Sequence, residues 1–237
     1  MEMEHGHSPD EVAIRIDGSP HPSFLRDTVY GAIDGAVTTF AIVAGVAGAG
    51  LSPSIIIALG IANVLADGFS MAAGNYSGTK AELDNIKRIH KIEERHIRDF
   101  PVGERLELRA ILANKGLSGQ VLEDATDAIA SDQESWIKMM MVDEYGMSPI
   151  ALHPFRAALA TFLAFLAAGM VPLVPFLFGA SNAFNTALVC TGGVFFLIGT
   201  LKSRWSLEPW WRSGLETLLI GGVAASIAYF VGSLFRA

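Results

Sequence analysis

The chain has a single cysteine, Cys190, among 237 residues, which excludes a disulfide framework and a thiolate zinc site. Charge is scarce: Asp, Glu, Lys and Arg make up 17%, against about a quarter in soluble domains. Basic residues are not in surplus either. The net charge of −7 argues against nucleic acid as a partner, because phosphate neutralisation needs an excess of Lys and Arg. Residues 1–28 hold no apolar run, so no cleaved signal peptide is expected there. Glu2, Glu4, His5 and His7 in that stretch are read as part of a solvated, disordered tail, with no site. Hydrocarbon fills the deficit: 51% of residues are apolar before glycine is counted, and the mean hydropathy is +0.40. These values point to a membrane protein.

Five windows are long and apolar enough to cross a bilayer, which takes about 20 residues: Val29–Gly50, Ser54–Asn75, Ala157–Ala180, Phe184–Leu201 and Gly214–Phe235. Lys and Arg are absent from them, and Asp34, Asp67 and Glu216 are their acids. The connectors Leu51–Pro53 and Ser181–Ala183 are short enough to make helical hairpins. This topology puts sixteen of the 17 Lys and Arg on one side, with Arg236 alone on the other. The positive-inside rule then predicts a cytosolic N-terminus and an external C-terminus. Trp205, Trp210 and Trp211 beside Lys202–Arg212 fit an interfacial aromatic anchor. The expected fold is all-α: a tail (1–28), two spans (29–76), a polar insert (77–150) and three more spans (151–237).

The insert carries ten Lys and Arg and fourteen Asp and Glu. No Gly or Pro interrupts Thr79–Phe100, so the second span is predicted to continue outward as one helix. A second helix is predicted over about Glu104–Lys115 and a third from Ser118 to about Tyr145, giving a cytosolic three-helix lobe. Glu93 and His96 are three apart, as are Glu104 and Glu107, so each pair shares a helix face and can present two donors to one ion. Met139, Met140, Met141, Asp143 and Glu144 end the third helix. Carboxylate, imidazole and thioether together suit a borderline divalent metal such as Fe²⁺ or Mn²⁺.

An ionised Asp at bilayer depth costs several kcal/mol, about 2.5–3.5 on insertion scales, so it faces protein or a wet pathway. Asp34 and Met71 lie at similar predicted depths near the cytosolic ends of the first two spans, with Asp67 about one turn deeper. A carboxylate and a thioether there can replace part of an ion's water, and protonation of the carboxylate would expel the cation. Gly31 and Gly35 around Asp34, and Ala72–Gly74 after Met71, allow close helix approach. Pro172 and Pro175 are predicted to kink the third span.

The runs Arg26–Gly35, Ala66–Tyr76, Met140–Gly146, Val171–Pro175 and Gly221–Tyr229 resemble, in order, the vacuolar iron transporter family. The resemblance implies a homodimer with five spans per subunit that exports Fe²⁺ from the cytosol in exchange for protons. It implies lobe ligands at Glu93, Glu104, Glu107 and Glu144, with Met140 and Met141 nearby, and membrane ligands at Asp34 and Met71. One departure stands out: where the pattern has a second glutamate late in the first lobe helix, this chain has His96.

The expected function is therefore a secondary transporter and not an enzyme, with Fe²⁺ or Mn²⁺ as cargo, no permanently bound cofactor, and protons and the lipid bilayer as the other partners. The membrane would be the inner membrane of a prokaryote or the vacuolar membrane of a eukaryote. Two other classes remain open. Glu93-Glu94-Arg95-His96 supplies half of a carboxylate di-iron motif, as a membrane-tethered ferroxidase or iron store would need; a metal sensor or a structural membrane protein is the third.

Overall fold

The computed structural model describes residues 7–17, 23–147 and 151–236, and is all-helical over them. Ten α-helices follow in order: α1 (Pro9–Asp17), α2 (Leu25–Gly48), α3 (Pro53–Asp99), α4 (Pro101–Asn114), α5 (Gly119–Ala130), α6 (Gln133–Asp143), α7 (Pro154–Met170), α8 (Val174–Leu177), α9 (Ala183–Lys202) and α10 (Trp210–Leu234). Among the described residues five segments are long and apolar enough to span a membrane: Leu25–Gly48, Pro53–Asp99, Pro154–Leu177, Ala183–Trp205 and Trp210–Leu234. The chain is a multi-pass membrane protein. It divides into two compact units, one of Ser23–Thr79 with His153–Ala237 and one of Lys80–Leu152 with the N-terminal residues.

In the membrane-spanning unit, α2 packs most extensively on α7 and α10. Lipid tails are as apolar as leucine, so close packing and hydrogen bonds must hold such helices together. Glycine makes the approach possible: a Cβ on Gly31 would run into the carbonyl of Thr161, and one on Gly35 into that of Phe165. The close approach predicted for these two glycines is therefore made with α7. Phe40, Val43, Ile56, Val64, Leu173 and Phe176 form the main apolar cluster. Buried Thr161 and Thr217 return their hydroxyl protons to the carbonyls four residues back, at 3.1 and 3.0 Å, which satisfies both donors within their own helices. At Pro172 the third span tightens into a 3-10 turn, Val171–Leu173, before α8. The α-helical ladder is interrupted where the kink is predicted, since proline removes a helix donor.

In the other unit, Leu108, Leu112, Leu122, Trp136 and Met140 form a separate apolar core, each fully buried large side chain contributing about 1.5–3 kcal/mol. Helix α3 runs unbroken for 47 residues, as the absence of Gly and Pro after Thr79 led us to expect.

Two expectations are corrected. The third lobe helix is two helices: Asp132 caps α6 by accepting from the Ser135 amide (3.3 Å), and Ser131 donates to the Ala128 carbonyl (2.7 Å). Polar side chains that bond their own backbone end a helix at the cost of the helical ladder. The N-terminal stretch also contains a helix, α1, with Asp10 and Glu11 in its first turn, where they complement the helix dipole. Glu2, Glu4 and His5 lie outside the described residues.

Candidate functional site

The insert builds its site at the sharp turn between α3 and α4. The Phe100 amide closes α3 on the His96 carbonyl at 2.7 Å, and Pro101 starts α4 at once, where its missing N–H costs nothing. A single residue, Phe100, separates the two helices. Glu93 and His96, one turn apart at the end of α3, are thereby brought against Glu104 in the first turn of α4. The His96 Nδ1 lies 3.3 Å from Glu104 Oε1 and 3.8 Å from Glu93 Oε1. One ligand atom from each of the three falls within 4.8 Å of the others.

Burial makes this cluster unusual. Glu93 is 0% exposed and Glu104 6%, and the Oε2 atoms of both are buried without a hydrogen-bond partner among the described residues. Two buried carboxylates with unspent lone pairs are costly unless a cation or a proton joins them. Burial, then the charges of Glu93 and Glu107, push the Glu104 carboxyl up to about 7, against the opposing influence of His96. Burial and the same two glutamates also raise Glu144. Tyr145, just beyond α6, donates its hydroxyl to Glu93 Oε1 at 2.9 Å. Burial, followed by that hydrogen bond, holds the phenol above its ordinary range, so it stays a donor at neutral pH. Two carboxylates and an imidazole that can close around one point fit a borderline divalent cation.

The remaining insert residues fall into two groups. Glu107 and Glu144 are exposed, at the rim, and act on Glu104 through their charge. Met140 is fully buried in the apolar core with Leu108 and Trp136, and Met141 is half-buried. Asp143 is held by Lys115 at 2.6 Å.

In the spanning unit, Asp34 is half-buried on α2 and Asp67 is exposed on α3. Asp67 is the charged neighbour that acts on the Asp34 carboxyl. Thr38 donates to the main-chain carbonyl of Asp34 at 2.9 Å; among the described residues the Asp34 carboxyl itself takes no hydrogen bond. Met71, half-buried, lines a cleft of 510 Å³ with Arg26, Asp27, Tyr30, Gly74 and Asn75. The carboxylate of that cleft is Asp27. Glu216, the acid of the fifth span, pairs with Lys202 at 3.0 Å.

Sequence reasoning passed over the polar cross-links of this unit. Asn75 Nδ2 donates to Asp27 Oδ1 (2.9 Å) and to Thr161 Oγ1 (2.7 Å), joining α2, α3 and α7. Asn63 Nδ2 donates to Thr38 Oγ1 (3.2 Å) and Thr39 Oγ1 (3.3 Å). A signal for them was present: Asn63, Asp67, Met71, Asn75 and Thr79 each lie four residues from the next, so successive members are neighbours along one slanting row of α3. Tyr145 carried no such signal, because its partner Glu93 lies 52 residues away.

The sequence profile of the VIT family matches residues 25–233. "Vacuolar iron transporter 1" of Eucalyptus grandis is 32% identical over 208 residues, covering 86% of this chain and 84% of the relative. "Vacuolar iron transporter 1" of Arabidopsis thaliana is 31% identical over 215 residues, covering 90% and 86%. "Vacuolar iron transporter" of Toxoplasma gondii is 32% identical over 228 residues, covering 90% and 74%.

Proposed function

The chain belongs to the VIT family, and on that premise we propose that it exports Fe²⁺ from the cytosol across its membrane in exchange for protons, with Mn²⁺ as a second cargo. The observation that carries this reading is the buried Glu93–His96–Glu104 cluster. A structural ion pair would leave no pair of desolvated carboxylate oxygens unpartnered, whereas a site that loads and unloads a divalent ion would. In this reading the insert lies in the cytosol and captures metal with Glu93, His96 and Glu104, aided by the charges of Glu107 and Glu144. Met140 packs in the apolar core of the same unit, and Met141, next to it in α6, is half-buried. Asp34, Asp67 and Met71 then form the intramembrane path.

Exchange follows from the chemistry of these groups. A carboxylate in a low-dielectric setting holds either a proton or a cation, because each neutralises the same charge. Proton return from the far side would release the ion there and reset the path. A homodimer is supported by Asp67: it lies about 21 Å along α3 from Pro53, on an exposed face, and a carboxylate open to lipid at that depth is costly. A second subunit on that face would shelter it.

The test is Fe²⁺ flux into proteoliposomes under an imposed pH gradient. Wild-type protein should carry pH-driven flux, Asp34→Asn should abolish it, and Glu93→Gln should slow it at low metal concentration. Unchanged flux in Asp34→Asn would remove that residue from the path. Oxygen uptake on adding Fe²⁺, with no flux, would favour a ferroxidase, although the insert brings one Glu-x-x-His step to its cluster where a di-iron site wants two.

A further inference from the structure

Glycine lets membrane helices approach closely, and in this bundle Gly31, Gly35 and Gly232 do so, each facing the backbone of another helix. Gly192 of α9 and Gly222 of α10 do not. A Cβ on Gly222 would meet nothing within 4 Å, and one on Gly192 would reach only the tip of Leu218, at 3.5 Å. The seam between α9 and α10 is left open as a groove of 420 Å³, backed by buried Phe40 and Ala44 of α2. It runs from Phe184 and Tyr229, whose rings lie 6.0 Å apart, to Phe195 and Leu218, eleven residues along either helix, or about 16 Å. Spread over that length, the volume gives a section of about 25 Å², the width of one hydrocarbon chain. The lining is apolar apart from three hydroxyls, and Ser226 already gives its proton to the Gly222 carbonyl at 2.7 Å. Ordered water, which needs about two to four polar partners, is poorly held there, and an empty groove forfeits the contacts of its lining.

We propose that this groove binds one acyl chain of an anionic phospholipid, with Arg236 meeting the phosphate. Access is from the bilayer, because Leu188, Gly222 and Ser226 at its edge are exposed in segments that span the membrane. Helix α3 lends the groove no residue, so it is separate from the face assigned to a second subunit, and it shares no residue with the ion path. Charge is complementary at one end. Arg236 is exposed, and no other Lys or Arg follows Arg212. A Cβ on Gly50 would lie 3.6 Å from Arg236 Nε, while one on Gly48 would run into the carbonyl of Tyr229. The guanidinium thus sits at the end of the bundle where Tyr229 lines the groove, and its fork of donors matches a phosphate.

The test does not depend on transport. It uses the full-length protein in nanodiscs containing a phosphatidylglycerol with a photoactivatable diazirine midway along one acyl chain. Crosslinks should concentrate on residues 188–195 and 218–229, and unlabelled phosphatidylglycerol should compete them away better than phosphatidylcholine does. Gly222→Leu puts a side chain into the groove and should cut this crosslinking at least fivefold. Gly193→Leu is the matched control: its Cβ also meets nothing within 4 Å, but Gly193 lines no part of the groove, and crosslinking should be unchanged. The wild-type map decides by itself if Gly222→Leu does not fold. Arg236→Gln should abolish the preference for phosphatidylglycerol and leave the crosslinked positions as they were; a preference that survives it overturns the role of Arg236. Crosslinks spread evenly over the exposed faces of all five spans, or insensitive to Gly222→Leu, overturn the proposal. So does a disulfide joining two subunits through Ser226→Cys in a Cys190→Ala background, which would assign the groove to a subunit contact.

Discussion

The His96 Nδ1 lies 3.3 Å from Glu104 Oε1, so an imidazole at the end of α3 is set against a buried carboxylate in the first turn of α4. The same position is open to a proton or a metal ion, and the two compete for Glu104. Its carboxyl, ordinarily at 4.5, is pushed up to about 7.

That shift fixes a pH dependence. Below about pH 4.5 Glu104 is protonated in the folded and unfolded chains alike, and its stabilising neutral form is fully present. As pH rises through about 7 the folded chain must bury the ionised form, and that stability is lost. The metal-free insert should therefore melt at lower temperature at pH 8 than at pH 5, read by fluorescence of the core residue Trp136. Metal binding in this interval must displace a proton, so Mn²⁺ affinity should rise with pH and level off above about pH 7.5. Affinity that is flat from pH 5 to 7 would count against Glu104 as a ligand.

His96→Glu puts a third carboxylate into the cluster. Like charges at this separation repel, so the metal-free protein should lose stability at pH 7.5 and regain it when Mn²⁺ is added. Affinity should rise about tenfold, equivalent to about 1.4 kcal/mol, because a charged oxygen replaces a neutral nitrogen. His96→Ala should lower affinity by a similar factor. Isothermal titration of the full chain in detergent distinguishes the two, and equal affinities for wild type and both variants would exclude His96 from the coordination sphere.

Tyr145→Phe removes the donor to Glu93 Oε1 and leaves a buried carboxylate short of a partner. The cost should be about 1–3 kcal/mol in the metal-free insert, and less when metal is bound, since the ion then satisfies Glu93. Thermal melting with and without Mn²⁺ measures both. A loss that metal does not reduce would mean that Tyr145 acts only in packing.

The residues that failed to appear in the sequence explain what a sequence can carry. Spans were legible because the solvent is lipid: a stretch without Lys or Arg, such as Val29–Gly50, has few alternatives. Glu93 and His96 were legible because ligands one turn apart are fixed by helical spacing. The turn at Phe100–Pro101 was marked by proline, yet the convergence of Glu104 on His96 depends on the angle between two helices, which no local pattern encodes. The break at Asp132 was missed because a weak cap inside an apolar-periodic run reads as continued helix. Asp27 was hidden by its position: an acid in the first turn of a helix is ordinary, and only the amide of Asn75, 48 residues on, makes it otherwise.

Glycines separate packing from space in the same bundle. A Cβ on Gly35 would meet the Phe165 carbonyl at less than van der Waals distance, and the atom in the way is backbone, which cannot rotate aside. Gly35→Ala must therefore push α2 from α7 along their whole contact, a change of the overpacking kind that costs about 1–3 kcal/mol or more. Gly74→Ala meets nothing within 4 Å, and alanine is the better helix former by about 1 kcal/mol. Size-exclusion profiles of detergent-extracted protein should show Gly35→Ala poorly expressed or aggregated and Gly74→Ala monodisperse, with a melting temperature at or above wild type. If Gly35→Ala behaves like wild type, α2 and α7 are not in backbone contact at this level, and the placement of Asp34 one residue away would have to be redrawn.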